Sequence, residues 1–193
     1  DEMRRRIALV PAEMTAGREE LRAPNAVRFA VELAGESGFL FIRRAAQPPT
    51  LDGTIEAHEW GAPAYSGRFH EGYVIEDRVP HRTNIYAVAH DKTLYLAFDC
   101  EGDPKLIGAS VEGVNTDTSA YPAMARDDAI ALSLLNAGRS AMRVLVNANG
   151  SIQDEKRGIC QAKVRRTEQG WQVEMSLPLS AIGSGAAIAR YSR

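Results

Sequence analysis

Apolar residues in this chain recur at every second position, segment after segment. That spacing suits a strand with one buried face and not a helix. In Val27-Arg28-Phe29-Ala30-Val31-Glu32-Leu33 the odd positions are apolar, and a turn over residues 34–38 leads into Phe39-Leu40-Phe41-Ile42, which together read as a hairpin. Residues 83–89 and 93–99 read as a second pair around His90-Asp91-Lys92, with Leu94, Leu96 and Phe98 on one face. Ile130, Leu132 and Leu134 share a face of another strand, and Met142, Val144 and Val146 do the same in the strand ending at Asn147. Asn149-Gly150 then offers a tight hairpin turn, because both residues accept positive φ. Cys160, Ala162 and Val164 alternate with Gln161, Lys163 and Arg165. Glu168-Gln169-Gly170 turns the chain into a strand from Trp171 to Leu177, closed by Pro178, which cannot donate to a ladder. Helical turns are predicted only over residues 56–60 and 178–183, with a further candidate over 13–21. Many short strands with frequent turns predict an all-β fold, a two-sheet antiparallel β-sandwich of jelly-roll-like kind with little helix.

The 193 residues can bury one full core. Lys plus Arg number 23 against 25 Asp plus Glu, a net charge of −2, and this argues against nucleic acid as a partner, which needs a basic footprint. No stretch approaches the roughly 18 apolar residues of a membrane span, so membrane insertion is not expected. The basic start Met3-Arg4-Arg5-Arg6 is followed by only four apolar residues before Pro11, too few for the apolar core of a signal peptide. Cys100 and Cys160 lack metal-type spacing; each falls on an apolar strand face, as a buried thiol or as half of a disulfide. Gln47-Pro48-Pro49-Thr50 reads as a boundary, with residues 1–46 either extra strands of the same sandwich or, the favoured reading, the β-rich tail of a preceding domain, and residues 47–193 the sandwich itself.

Five segments, in order, resemble family nine carbohydrate-binding modules and their wider DOMON-like relatives. They are Asp52-Gly53 with Glu59-Trp60, then Asp91-Lys92-Thr93-Leu94-Tyr95-Leu96, then Asp127-Asp128-Ala129-Ile130-Ala131-Leu132. Val144-Leu145-Val146-Asn147 with Gly150, and Gly170-Trp171-Gln172-Val173-Glu174 with Leu177-Pro178, complete the series. The resemblance implies a non-catalytic appendage of a secreted or periplasmic, polysaccharide-associated protein, with a polysaccharide or oligosaccharide and neighbouring domains as partners. Some members also bind calcium. The chain departs from the pattern where the family holds sugar: Ala125, Ala131 and Leu145 stand at positions that carry Trp, Glu and Arg, and a second Trp would lie beyond Arg193. That leaves open a C-terminal truncation of the module.

The candidate sugar contacts are therefore others. Tyr121, ahead of the strand that carries the family's ligand groups, can replace the missing aromatic platform; the plain account is a half-buried loop tyrosine. Arg143 and Asn147 share a strand face with Leu145 by parity and form a hydroxyl-binding pair if that face is open; otherwise they are a solvated strand face. Arg126 adjoins them, though a surface ion pair with Asp127 is the simpler account. Asp99, Asp103 and Asp128 flank strand ends around one long acidic connection and are the candidate calcium ligands, against plain solvated charge. Trp171 reads as core and Trp60 as a plug at one end of the sandwich. There is no Gly-x-Ser-x-Gly elbow and no His-Glu-x-x-His, so nothing in the sequence signals an enzyme. The rival to a sugar-binding domain is an architectural one, in which the face of Ala131 and Leu145 packs on a neighbouring domain.

Overall fold

A computed structural model describes residues 26–33, 36–70, 78–113, 121–124, 126–136, 139–155, 158–182 and 186–192. The alternating segments form strands: β1 (Ala26–Leu33), β2 (Glu36–Arg44), β3 (Tyr65–His70), β4 (Arg78–His90), β5 (Thr93–Glu101), β6 (Ala129–Asn136) and β7 (Arg139–Asn147). β8 (Ile152–Asp154), β9 (Gln161–Thr167), β10 (Gly170–Pro178) and β11 (Ala186–Ser192) follow. Among the described residues, three single-turn helices interrupt them: α1 (Ala57–Trp60), α2 (Tyr121–Met124) and α3 (Leu179–Ile182). The predicted turns at residues 56–60 and 178–183 are thus α1 and α3, while the candidate at 13–21 lies outside the described residues.

Two sheets result. The larger runs β1-β2-β4-β5-β10-β9, with β3 also paired to β4, and the smaller runs β11-β6-β7-β8. Between them, Leu94, Leu96 and Phe98 of β5 and Trp171, Val173, Met175 and Leu177 of β10 meet Ile130 and Leu132 of β6 and Val144 and Val146 of β7. These are the apolar positions that the alternation marks, and burying them supplies most of the driving force for folding. Trp171 is core, as read. Both cysteines are buried, and no disulfide joins them. Burial first, and then the charge of Asp154, pushes the Cys160 thiol up to about 12, which leaves it protonated and unreactive at neutral pH.

One placement differs from the sequence reading, and another bears on a choice it left open. Trp60 does not plug an end of the sandwich; it lies on the outer face of the larger sheet, buried against Val88 and Ala97, with Tyr86 edge-on at 6.5 Å. Indole N–H groups seek an acceptor when buried, and a carboxylate on β10 supplies one. The second concerns residues 1–46. β2 pairs with β4 in parallel through Arg43–Val88 and Arg44–Ala89, and Ile42 sits in the core. The Ala45 N–H then donates to the Ala89 carbonyl. The boundary read at residues 46/47 therefore falls just after a strand that the sandwich has recruited. A parallel pairing between strands this far apart leaves no local signal, because no tight turn joins them.

Candidate functional site

Parity places Arg143, Leu145 and Asn147 on the outer side of β7, and the structure agrees, since Val144 and Val146 point into the core. That side is not open at Leu145 or Asn147, which are 2% and 0% exposed. The connection after β5 folds back over the end of the small sheet. Asn147 Nδ2 donates to the Val111 carbonyl and to Asp127 Oδ2, each at 2.8 Å. Its Oδ1 accepts from Asn149 N (3.2 Å) and Ser151 N (2.9 Å), an Asx turn that shapes the β7–β8 hairpin. Asn147 is thus a hinge pin of the fold and not an outward hydroxyl-binding group.

Asp127 completes this clasp. It is 5% exposed, so the surface ion pair with Arg126 expected from the sequence does not form there. Its carboxylate accepts from Ser110 N and Ser110 Oγ at 2.7 Å, from Val111 N at 3.2 Å and from Asn147. Burial raises the Asp127 pKa, but these donors outweigh it and hold the carboxyl below its ordinary range. The native carboxyl therefore releases its proton at lower pH than the unfolded one. Between the two values the unfolded chain binds more protons, so stability falls as pH drops through that window. We expect the melting temperature to fall between about pH 5 and about pH 3, and Asp127→Asn to lose part of that fall. An identical pH profile in the variant would remove Asp127 as its source.

Of the other candidates, Arg126 is exposed at the turn before β6. Tyr121 opens α2, and its side chain lies outside the described residues. Arg143 is half-buried, two rungs along β7 from Asn147. Across from it lies Glu155, whose carboxylate accepts from Arg143 N at 3.1 Å, while Gln153 of β8 is the partner of Leu145 in the register. Gln153 is 2% exposed, and its Oε1 is the buried side-chain acceptor left without a partner among the described residues. An amide in a three-residue strand carries no sequence signal of its own, and the sequence reading passed over it.

The proposed calcium ligands do not come together as one set: Asp103 and Asp128 share a cavity, and Asp99 lies elsewhere. Asp99 lies on the outer face of the larger sheet, accepting from Asn84 Nδ2 at 3.3 Å and Gln172 Nε2 at 3.1 Å. Asp103 and Asp128 line a cavity of about 130 Å³ at one end of the sandwich, with Glu101, Ile107 and Trp171. Asp103 accepts from Lys105 N, and Asp128 from Gly108 N. Among the described residues, no three His, Cys, Asp or Glu side chains are placed to hold a metal ion. The donor set does not fit calcium, which wants 6 to 8 converging oxygens.

A second buried carboxylate, also missed, clasps the opposite sheet. Glu174 of β10 points outward and is 0% exposed. Its Oε2 accepts from Asp52 N (2.9 Å) and Gly53 N (2.7 Å), and its Oε1 from Trp60 Nε1 (2.8 Å). Burial raises its pKa above the ordinary carboxylate range, against the pull of these three donors. Gly53 holds φ +90, and a Cβ there would meet Val164 and Arg165 at 3.2 Å, so the tight approach needs glycine.

No family model matches the chain, and no curated protein matches it. Among solved structures it is similar to two family 9 carbohydrate-binding modules from Caldicellulosiruptor kristjanssonii. One, in complex with cellotriose, is 16% identical over 72% of this chain and 68% of that chain, with a TM-score of 0.45. The other, in complex with glucose, is 14% identical over 76% and 85%, with a TM-score of 0.46. No helix among the described residues is long and apolar enough to cross a membrane.

Proposed function

We propose that this chain is a non-catalytic saccharide-binding domain, an accessory of a larger secreted or periplasmic protein that acts on or associates with polysaccharide. One observation carries the reading: the residues behind the family resemblance are joined in pairs as folding clasps. Asp52-Gly53 and Trp60 close on Glu174, and Asp127 closes on Asn147. The motifs therefore specify one sandwich as a unit, and the architecture supports the role associated with it. The buried carboxylates support the non-catalytic part. Asp127, Asp154 and Glu174 are each engaged by backbone N–H groups, a tying role and not that of a mobile proton carrier.

For ligand contact the geometry favours the outer face of the small sheet at Arg143. Arg143 is half-buried there, and a guanidinium is a charge-assisted donor to sugar hydroxyls. Calorimetric titration of the chain with neutral oligosaccharides should show binding that Arg143→Ala weakens about tenfold, the loss of one charge-assisted contact. Absence of binding across a panel of oligosaccharides would defeat the proposal.

A second reading, a domain that packs on a neighbour and binds no sugar, is favoured by Leu106. This leucine is 78% exposed beside the end cavity. The surface first expected for that role is lost, because Leu145 is covered by the chain itself. Failure of saccharide binding would leave this reading standing.

A further inference from the structure

On the outer face of the larger sheet, five neighbouring strands put polar side chains on a single rung. The register aligns Ser66 with Asn84, Asn84 with Asp99, Asp99 with Gln172, and Gln172 with Arg165. Four strand spacings of about 4.8 Å make the rung about 19 Å long. Its members hold one another in place. Ser66 Oγ donates to Asn84 Oδ1 at 2.6 Å, and Asn84 Nδ2 and Gln172 Nε2 donate to the two oxygens of Asp99. Arg165 is steadied by Thr54 Oγ1 at 2.9 Å. The rung is half-buried at its centre and exposed at both ends. Tyr86, one outward position along β4 from Asn84, borders it with a half-buried ring.

Two features of this rung call for more than a solvated surface. Asn and Asp are poor strand formers, yet Asn84 and Asp99 face each other in the interior of two central strands, β4 and β5. A local choice that opposes the strand marks a functional position more often than a stabilising one. The rung also retains hydrogen-bonding capacity after its internal bonds are counted. Asn84 and Gln172 each keep one amide N–H, Asp99 keeps half of its lone-pair sites, and Arg165 keeps most of its donors.

We propose that this rung is a second saccharide site, on the sheet opposite Arg143, which takes an uncharged oligosaccharide laid across the strands. The occupant follows from the charge and chemistry. Asp99 and Arg165 cancel, so neither a polyanion nor a polycation is favoured. Adjacent donors and acceptors match hydroxyls. A protein partner would need an apolar centre, which the rung lacks. The inference shares its ligand class with the function proposed above, but it does not depend on the Arg143 face.

The test is NMR titration of the whole chain, labelled with nitrogen-15, using cellohexaose, xylohexaose and mannohexaose. At least one should move the side-chain amide signals of Asn84 and Gln172, with Arg143→Ala leaving those shifts in place. Asn84→Thr and Arg165→Ala should each weaken that binding about tenfold. Because threonine suits a strand, Asn84→Thr should melt no lower than the wild type. Shifts confined to β6, β7 and β8 would overturn this inference and leave the proposed function intact; no shift with any probe would overturn both. Unaltered affinity in Asn84→Thr and Arg165→Ala would assign the rung to the fold alone.

Discussion

Gly170→Ala is expected to be among the most damaging single-methyl additions in this sandwich. Gly170 opens β10 at φ +148, opposite Glu101, just after the turn that leaves β9. A Cβ at this position would stand 1.9 Å from the Cys100 carbonyl oxygen and 3.0 Å from Gly102 N. Both obstacles are backbone, and Gly102 N is itself bonded to the Gln169 carbonyl, so no side chain can swing away to make room. The turn must shift and pull apart the β5–β10 pairing at the centre of the larger sheet. Overpacking together with backbone strain places the cost at about 4 kcal/mol, the upper end of single-residue effects. In a chain of this size that lowers the melting temperature by about 12 °C. Gly150→Ala is the control. Its φ is +80, but its nearest neighbour is Val164 Cβ at 3.8 Å, so only the conformational penalty of about 1–2 kcal/mol applies. Thermal melts by circular dichroism should separate the two clearly, and equal melting temperatures would contradict the crowding at Cys100.

The contrast between strands and site residues shows what a sequence of this kind reveals. β5, β6, β7 and β10 are readable because each turns one apolar face to the core between the sheets, and the alternation records which face. Gly150 is readable because a local backbone demand selects glycine, and it does adopt φ +80, whereas Asn149 does not take positive φ. Arg143, Leu145 and Asn147 mark the limit. Periodicity says that they point away from the core, but it is silent on what lies over them. The Ser110-Val111 segment, more than 30 residues earlier, covers Asn147 and makes it part of the interior. Asp99 fails as a partner of Asp103 and Asp128 for a related reason. An acidic stretch is local in sequence, whereas the strand pleat sends Asp99 to the outer face of the sheet, away from the end cavity. Glu174 was legible only as one letter of a family motif. Its hydrogen-bond donors lie more than 110 residues away, at Asp52, Gly53 and Trp60.

Glu174→Ala is the second large effect expected, and it tests whether that clasp holds the segment before β3 onto the sheet. Removing the carboxylate leaves two backbone N–H groups and the Trp60 indole N–H without an acceptor, in a place that water reaches poorly. Each lost partner costs about 1–3 kcal/mol, so a total of about 3–5 kcal/mol is expected. The loss should be local at first. Trp60 covers Val88 and Ala97, which form a cluster separate from the main core. In Glu174→Ala the fluorescence of Trp60, followed in a Trp171→Phe background, should shift to the red at lower urea than the loss of sheet signal. Glu174→Gln should lie between the variant and the wild type, since its one amide oxygen can satisfy Trp60 or the Asp52-Gly53 pair but not both. The two glutamate-free variants should also alter the pH profile. Burial lifts the native Glu174 carboxyl above its unfolded value, so between those values the native state binds more protons, and stability falls as pH rises through the window. That decline is opposite in sign to the contribution of Asp127 and should vanish in Glu174→Gln. Coincident fluorescence and sheet transitions in Glu174→Ala, at a stability close to the wild type, would show that the segment is held by its apolar contacts and that the carboxylate is dispensable.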